Sequence, residues 1–374
     1  MEKNTSCQLF SQLFAEWPAF DGHEQLLFGH DEAAGLSCII AVHHTGLGPA
    51  LGGLRMYPYS SLDMAVHDVL RLSRGMSYKN AMAGLPLGGG KAVIIGDPAI
   101  HKTSALFQAF GRQVEALGGR YITAEDVGIT VDDIGEVSKT TRFTAGRAQK
   151  DSVTASGDPS PMTALGVFYG MQAALRHNYG VNSFVGRSVA IQGLGHVGSN
   201  LAKLLHEAGA ELVVTDVNPV QARIIAAETG ARIVEPHEIY DQPVSIFAPC
   251  AMGACLNNDT AYRLKCSIVA GAANNQLERM GIAKILQGRG ILYAPDYVIN
   301  AGGVMNILSE IENKPYDREE MTMRLLHIGE RLQEIFRRAE ATKHTTATIA
   351  DEMAEQILAR SRAEKQEKGL ALSA

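Results

Sequence analysis

The chain has no apolar run long enough to cross a bilayer, so no membrane-spanning helix is expected. It also has no excess of basic charge. Its 34 lysines and arginines are outnumbered by 40 acidic residues, for a net charge of −6. No broad positive field is therefore available to hold nucleic acid. Cysteine is sparse and odd in number: Cys7, Cys38, Cys250, Cys255 and Cys266 lie far apart. A secreted disulfide framework would pair them, which points to a reducing compartment. Residues Met1 to Phe10 lack the basic head and apolar stretch of a secretory signal, so a cytoplasmic location is expected. Internal repeats and low-complexity tracts are missing too. What remains is 374 residues with 46% hydrophobic content, enough for two ordinary globular domains.

Periodicity divides the chain. Ser37 to His44 is a short apolar run with β-branched residues and predicts a strand. From Leu62, apolar residues recur at helical spacing, with Ser61 as the expected N-cap. A glycine-rich turn, Gly84 to Lys91, leads into a strand at Ala92–Ile95. Leu106, Phe110, Val114 and Leu117 mark a further helix ending at Gly118-Gly119, and Tyr121–Thr123 a further strand. Between Thr144 and Pro161 the periodicity gives way to polar turn formers, and a domain boundary is expected there. Ser160 and Pro161 suit the cap and first turn of a helix running to Gly180. Strands then alternate with helices at Ser188–Gln192, Glu211–Thr215, Val244–Ala248, Ser267–Ala270 and Ile291–Ala294. Such alternation predicts a parallel sheet covered on both faces. The chain from Arg318 onward reads as charged helix.

The strand Ser188–Gln192 runs straight into Gly193-Leu194-Gly195-His196-Val197-Gly198, which opens a helix. The first glycine permits the tight turn, the second lets a pyrophosphate approach the backbone, and the third allows close helix–strand packing. The helix amino end offers free N–H groups and a partial positive charge. Asp216 follows the next strand, 18 residues after Gly198, where a carboxylate accepts from the adenine-ribose hydroxyls and repels a 2′-phosphate. Together these predict a dinucleotide site that prefers NAD to NADP.

Two lysines, Lys79 and Lys91, stand 12 residues apart. Most lysines sit on solvated surfaces, but Lys91 lies between three glycines and an apolar strand. The glycine run is expected to leave open space for a ligand beside the amine. A phosphate loop fails on spacing, because Leu85 stands where glycine is required and Ala92 where Ser or Thr should hold magnesium.

Six segments complete the pattern in order: Gly48-Pro-Ala-Leu-Gly-Gly-Leu-Arg-Met56, Met76-Ser-Tyr-Lys-Asn80, Leu87-Gly-Gly-Gly-Lys91, Ala124-Glu-Asp-Val-Gly128, Gly157-Asp-Pro-Ser-Pro-Met-Thr163 and Asn300-Ala-Gly-Gly303. Together they resemble the glutamate/leucine/phenylalanine/valine dehydrogenase family over nearly the whole chain, nearest in length to its leucine dehydrogenase branch. The resemblance implies two α/β domains with the active cleft between them. Residues 1–147 would form the catalytic, substrate and oligomerisation domain, with the C-terminal helix from about 340 to 374 packing back on it. Residues 148–339 would form the doubly wound Rossmann domain that binds NAD. It further implies oxidative deamination of an L-amino acid to a 2-oxo acid, ammonia and NADH, by a homo-oligomer, an octamer or dimer.

On this resemblance Lys91 is the catalytic lysine, its pKa lowered by enclosure and nearby positive charge, and Asp126 shuttles protons. Lys79 pairs with the substrate carboxylate, with the backbone of Gly52 close by. Asn274 holds the substrate amino group or the cofactor carboxamide. Thr163 and Asn300 contact the nicotinamide side, and Cys250, Ala251 and Ala272 line the cofactor. Leu51, Ala124, Val304 and Ile307 map to the side-chain pocket, although core packing explains such residues equally well. No cation among them could pair with a second carboxylate, which argues against glutamate and for leucine, isoleucine or valine. Pro86 stands where the leucine branch usually carries Asn, which leaves phenylalanine or tryptophan open. From another class, a non-catalytic NAD sensor would keep the fold without needing Lys79, Lys91 and Asp126. Twelve histidines invite a metal reading, but no His-Glu-x-x-His occurs, and His43 and His44 on one strand would face opposite ways. They read as surface or satisfied core residues, and no metal is expected.

Overall fold

Leu36, Cys38, Ile40 and Val42 alternate with Ile39 and Ala41, so a strand there offers apolar side chains to both of its faces. In the computed structural model, which describes residues 17–146 and 158–372, both faces are used. The even-numbered set packs with Phe107, Phe110 and Val114, and the odd-numbered set with Val66, Val69 and Leu70.

The elements of this first unit are β1 (Gln25–Asp31), β2 (Leu36–His44), β3 (Ala50–Tyr57), α1 (Leu62–Met82), β4 (Gly88–Ile95), α2 (Ser104–Ala116), β5 (Tyr121–Glu125) and α3 (Val131–Val137). The sheet order is β1-β2-β4-β3-β5. β1, β2 and β4 pair antiparallel, and β4, β3 and β5 pair parallel. Ser61 caps α1 as expected, accepting a hydrogen bond from the Met64 N–H at 3.2 Å.

The glycine run behaves differently from the expectation. The strand begins at Gly88, four residues early, and the glycines leave no open space. A Cβ on Gly88 would lie 1.8 Å from the His44 carbonyl oxygen, one on Gly89 2.0 Å from the Ser77 nitrogen, and one on Gly90 2.7 Å from the Tyr121 ring. They let strands and α1 approach backbone to backbone.

The second unit contains α4 (Ser160–Tyr179), β6 (Ser188–Gln192), α5 (His196–Glu207), β7 (Glu211–Thr215), α6 (Pro219–Thr229), β8 (Arg232–Ile233), β9 (Ile246–Pro249), α7 (Asn258–Arg263), β10 (Ile268–Val269), α8 (Gly281–Gly288), β11 (Leu292–Tyr293) and α9 (Arg318–Thr342). Its six strands are all parallel, in the order β11-β10-β9-β6-β7-β8, as the alternation predicts. The order reverses between β6 and β9, the place where such sheets open a crevice at the strand carboxyl ends. Ser160 is the first helical residue rather than the cap. Pro159 holds the cap position without a side-chain bond, and Gly180 ends the helix in the left-handed region as expected.

The chain divides into one compact unit of residues 1–157, 309–316 and 354–374, and another of 158–308 and 317–353. Most of the stretch 144–161, where the sequence places the boundary, lies outside the described residues. The last helix, α10 (Thr346–Leu372), passes from the second unit into the first. Within the first unit its Glu355 accepts a 2.7 Å hydrogen bond from the Tyr78 hydroxyl. Among the described residues no helix is long and apolar enough to cross a membrane.

His43 and His44 do take opposite environments. His43 Nδ1 meets Ser77 Oγ at 2.7 Å, and His44 Nε2 meets Ser361 Oγ of α10 at 2.7 Å. His23, also buried, joins Ser73 at 2.9 Å and stacks edge-on against His43. Burial first, and neighbouring cations next for His44, depress all three: His23 to about 4, His43 to about 3 and His44 to about 4. The folded chain thus keeps them neutral where an unfolded histidine, near 6.5, is already taking a proton. Their contribution is whole above about pH 6.5 and falls as the pH drops through the unfolded value toward about 4. For enclosed His43 the loss is expected to reach about 2 kcal/mol at pH 5. Urea midpoints should therefore fall between pH 7 and pH 5, and His43→Gln should flatten that slope. An equal midpoint at both pH values in the unsubstituted protein would contradict this account.

Candidate active site

β4 is buried on both faces, yet it carries a lysine. Lys91 shares its face with Gly89 and Val93, the side covered by α1, and its side chain is 6% exposed. Charge in such a place needs a partner. The partner is Asp126, just past the end of β5, whose Oδ2 lies 2.8 Å from Lys91 Nζ. β3 makes the room. Its register with β4 keeps a constant offset, which sets Gly53 opposite Lys91. A Cβ on Gly53 would stand 2.8 Å from the Asp126 Cβ, so only glycine admits the carboxylate there.

Two residues along β3, Arg55 reaches the same carboxylate, its Nε donating to Asp126 Oδ2 at 2.9 Å. A terminal nitrogen of its guanidinium donates to Asp68 Oδ2 of α1, also at 2.9 Å. Asp68 further accepts from the Tyr59 hydroxyl at 2.6 Å and from Arg71 at 3.0 Å. Arg55, Tyr59, Asp68 and Arg71 line a cavity of about 500 Å³. Burial pushes Lys91 below the ordinary amine range; Asp126 pulls it back up and Arg55 pushes it down again. Burial would raise Asp126, but Lys91 and Arg55 hold it below the ordinary carboxylate value. The nearby cation expected from the sequence is thus Arg55, a residue of the quoted motif to which sequence reading gave no role. Its alternation with buried Leu54 and Met56 was the available signal, since a charge on a twice-covered strand must be answered.

The other expected residues of this unit fall around the pair. Leu51 and Ala124 share the Lys91 face, Leu51 being buried and Ala124 half-buried. A Cβ on Gly52 would stand 1.7 Å from the Gly90 carbonyl oxygen, and its own carbonyl accepts a 2.7 Å bond from Tyr121. Lys79 is half-buried in the last turn of α1. Its neighbours on that helix, Ser77 and Asn80, fix the helix to β4. Ser77 packs on Gly89, and Asn80 Nδ2 donates to the Gly88 carbonyl at 2.6 Å.

In the second unit the glycine turn follows β6. Gly193 has φ of +93°, and its Cβ would meet Ala251 at 2.7 Å. A Cβ on Gly198 would stand 2.0 Å from the Gly193 oxygen, whereas one on Gly195 would meet nothing within 4 Å. Gly195 is exposed and caps α5 without a side chain, and Leu194 is buried, Val197 half-buried and His196 exposed. Asp216 accepts the Leu194 N–H on one oxygen at 2.6 Å and the Asn218 N–H on the other at 2.7 Å. Asn300 Nδ2 donates to the Ala272 carbonyl at 3.1 Å and to Asn274 Oδ1 at 2.7 Å. Its Oδ1 is buried with no protein partner, as is Thr215 Oγ1. Open space over Gly195, a free helix end and orphaned acceptor capacity fit a dinucleotide. Thr163 spends its hydroxyl on the Pro159 carbonyl at 3.0 Å and packs on Gly303, with Val304 buried and Ile307 half-buried close along the chain. Cys250 and Cys255 are half-buried free thiols, which burial pushes up to about 11 and about 12.

A six-stranded parallel sheet with a glycine turn and terminal acid, in a chain whose other unit carries a lysine–aspartate pair, defines a two-domain NAD(P)-type dehydrogenase. A family model described as "Glu/Leu/Phe/Val dehydrogenase, dimerisation domain" matches residues 23–143. A second, "Glutamate/Leucine/Phenylalanine/Valine dehydrogenase", matches residues 156–220 and 214–367. The chain belongs to this family of amino acid dehydrogenases, as the motif order implied, and the non-catalytic alternative is set aside. It is 49% identical to a leucine dehydrogenase of Thermoactinomyces intermedius, across 89% of this chain and 90% of that one. It is 46% identical to an L-tryptophan dehydrogenase of Nostoc punctiforme, across 92% and 96%. A crystal structure of L-tryptophan dehydrogenase from Nostoc punctiforme superposes with a TM-score of 0.83 at 43% identity, covering 95% of this chain and 99% of that one.

The two glycines of the turn separate binding from folding. Gly195→Ala should keep the thermal midpoint and weaken dinucleotide binding by about tenfold or more, or about 1.4 kcal/mol. Gly198→Ala should lower stability by about 1–3 kcal/mol through overpacking. Thermal melts with fluorescence titration of NADH check both, and unimpaired NADH binding by Gly195→Ala would refute the first.

Proposed function

We propose that this dehydrogenase oxidatively deaminates a small apolar L-amino acid with NAD, giving the 2-oxo acid, ammonia and NADH. The observation that carries the reading is the enclosed 2.8 Å contact between Lys91 and Asp126. A lysine depressed by burial releases its proton nearer neutrality, which is what a base needs if it is to deprotonate water at an imine carbon. Asp126 is assigned the exchange of protons between the substrate amine and that water. Lys79 is assigned to the substrate carboxylate, with the Gly52 backbone, and Asn274 to the amino group or the cofactor carboxamide. We take the first unit as the catalytic and substrate unit and the second as the dinucleotide-binding unit.

When bound, the nicotinamide accepts the hydride lost from the substrate α-carbon. Gly193, Leu194, Gly195, His196, Val197 and Gly198 are assigned to its pyrophosphate, Asp216 to the adenine ribose. Thr163, Cys250, Ala251, Ala272 and Asn300 are assigned to the rest of the dinucleotide. Asp216 favours NAD, since its carboxylate would meet a 2′-phosphate with like charge. Leu51, Ala124, Val304 and Ile307 are assigned to the side-chain pocket. None of them offers a cation, which disfavours a second carboxylate on the substrate and supports leucine, isoleucine or valine. An aromatic preference is the second reading, favoured by the nearly equal similarity to a tryptophan dehydrogenase. The match to a dimerisation domain supports a homo-oligomer, and the free thiols support a cytoplasmic site of action.

NADH absorbance measured across the apolar amino acids should give the highest kcat/KM for a branched aliphatic one, with NAD well above NADP. A best substrate with an aromatic ring would replace the aliphatic reading. Lys91→Ala should lower kcat by about 10²–10⁴-fold while NADH binding persists. Turnover within a few fold of the unsubstituted enzyme would remove Lys91 from its role.

A further inference from the structure

The Lys91–Asp126 pair poses a chemical difficulty that the pair itself does not solve. If Lys91 gives up its proton, Asp126 is left as a half-buried anion beside a neutral amine. That arrangement is costly, and it would hold the proton on the lysine. A second cation must answer the carboxylate while the amine is neutral.

We propose that Arg55 is this cation, a positioning residue that anchors one oxygen of Asp126, leaves the other for substrate, and thereby frees Lys91 to lose its proton. The inference rests on the function proposed above. Its basis is geometric. Lys91 Nζ and Arg55 Nε both contact Asp126 Oδ2, at 2.8 and 2.9 Å, which leaves Oδ1 without a partner among the described residues. Arg55 is permanently charged and presents a rigid fork. One arm of the fork is spent on Asp126 and the other on Asp68, itself fixed by Tyr59 and Arg71. A guanidinium held from behind in this way keeps its distance from Asp126 whatever the protonation of Lys91.

The charged and titratable groups around Asp126 come from every neighbouring element. β4 supplies Lys91, β3 supplies Arg55 and α1 supplies Asp68 behind Arg55. β5 supplies Tyr121, whose phenol burial pushes upward and which donates to the Gly52 carbonyl. Of these, only Arg55 both touches Asp126 and keeps its charge through the working pH range. It also lowers Lys91 directly, in the same direction as burial and against the larger pull of Asp126. Arg55 is assigned no contact with the substrate carboxylate, so the effect should appear in proton release and hardly at all in substrate affinity.

The test is the pH dependence of kcat/KM in three enzymes: unsubstituted, Arg55→Ala and Arg55→Lys. Its acid limb, which reports deprotonation of Lys91, is expected to move up by about one unit or more in Arg55→Ala. On that limb each unit is a tenfold loss of activity, recoverable by raising the pH. Arg55→Lys restores the charge without the fork, so its limb should return toward that of the unsubstituted enzyme. Competitive labelling of Lys91 by a small acid anhydride, read by peptide mass spectrometry across pH without cofactor, measures the same ionisation independently of turnover. Its midpoint should rise in Arg55→Ala and return in Arg55→Lys. Limbs and labelling midpoints that stay in place in both variants overturn the assignment, even if kcat falls uniformly. Should Arg55→Ala fail to fold by thermal melt, Arg55→Gln, which removes the charge but keeps a polar side chain, takes its place. A labelling midpoint raised by about one unit or more then supports the assignment, and one that stays in place overturns it. An unsubstituted enzyme that turns over no apolar amino acid would instead refute the proposed function, a result distinct from an active enzyme whose limb does not respond to Arg55.

Discussion

A lysine placed on a strand that is covered on both faces constrains nearly everything else in the first unit. Lys91 cannot be left alone there, because an isolated ammonium in an apolar surrounding is too costly to survive folding. Asp126 answers it, Arg55 answers Asp126 and Asp68 answers Arg55, so charge alternates outward from the sheet toward half-buried ground. Such a buried network is weak evidence for stability, since apolar replacements of the same shape often do as well. Its presence is better explained by chemistry. A rigid set of charges, already paid for in folding, can hold a proton where a reaction needs it and release it when the set is disturbed.

Geometry of this sort depends on backbone approach. Gly52, Gly53, Gly88, Gly89 and Gly90 all occupy positions where a methyl group would strike a neighbouring atom at less than 3 Å. Together they draw β3, β4, β5 and α1 close enough for Lys91 and Arg55 to meet on the Asp126 carboxylate, with Asp68 of α1 behind Arg55. The second unit uses glycine in both senses. Gly198 is packed against the Gly193 carbonyl, while Gly195 faces open space. The residue type alone does not distinguish a site from a packing contact. What distinguishes them is whether the missing side chain's volume is filled by the protein.

That distinction marks the limit of sequence reading here. Periodic and local signals were legible. The parallel strands, the capping Ser61, the glycine turn and Asp216 each follow from spacing within a few residues. Lys91 and Asp126 were legible as members of a motif series. Their contact is a property of three strands in register, which no local window contains. Gly53 lies opposite Lys91 only because β3 and β4 pair at a particular offset. Arg55 was visible, but its partners come from residues 13 and 71 positions away. The glycine run before Lys91 was misread for the same reason, since its neighbours belong to β2, β5 and α1. The two-residue strand β8 lies below the length at which alternation can be seen at all.

Substrate choice is a separate matter from this machinery. Relatives named for leucine and for tryptophan are 49% and 46% identical to the chain over most of their lengths. The difference in substrate cannot lie in charges assigned to the amino and carboxylate groups, because every α-amino acid presents those alike. It must lie at the few positions that meet the side chain. Apolar pockets discriminate weakly, by about 1–3 kcal/mol per methylene, so one or two substitutions suffice to move preference between aliphatic and aromatic substrates. The network around Lys91 resists change because each charge depends on the next. On the proposed assignment, a pocket wall of Leu51 and Ala124 carries no such dependence, and can vary while the charge network beneath it stays fixed.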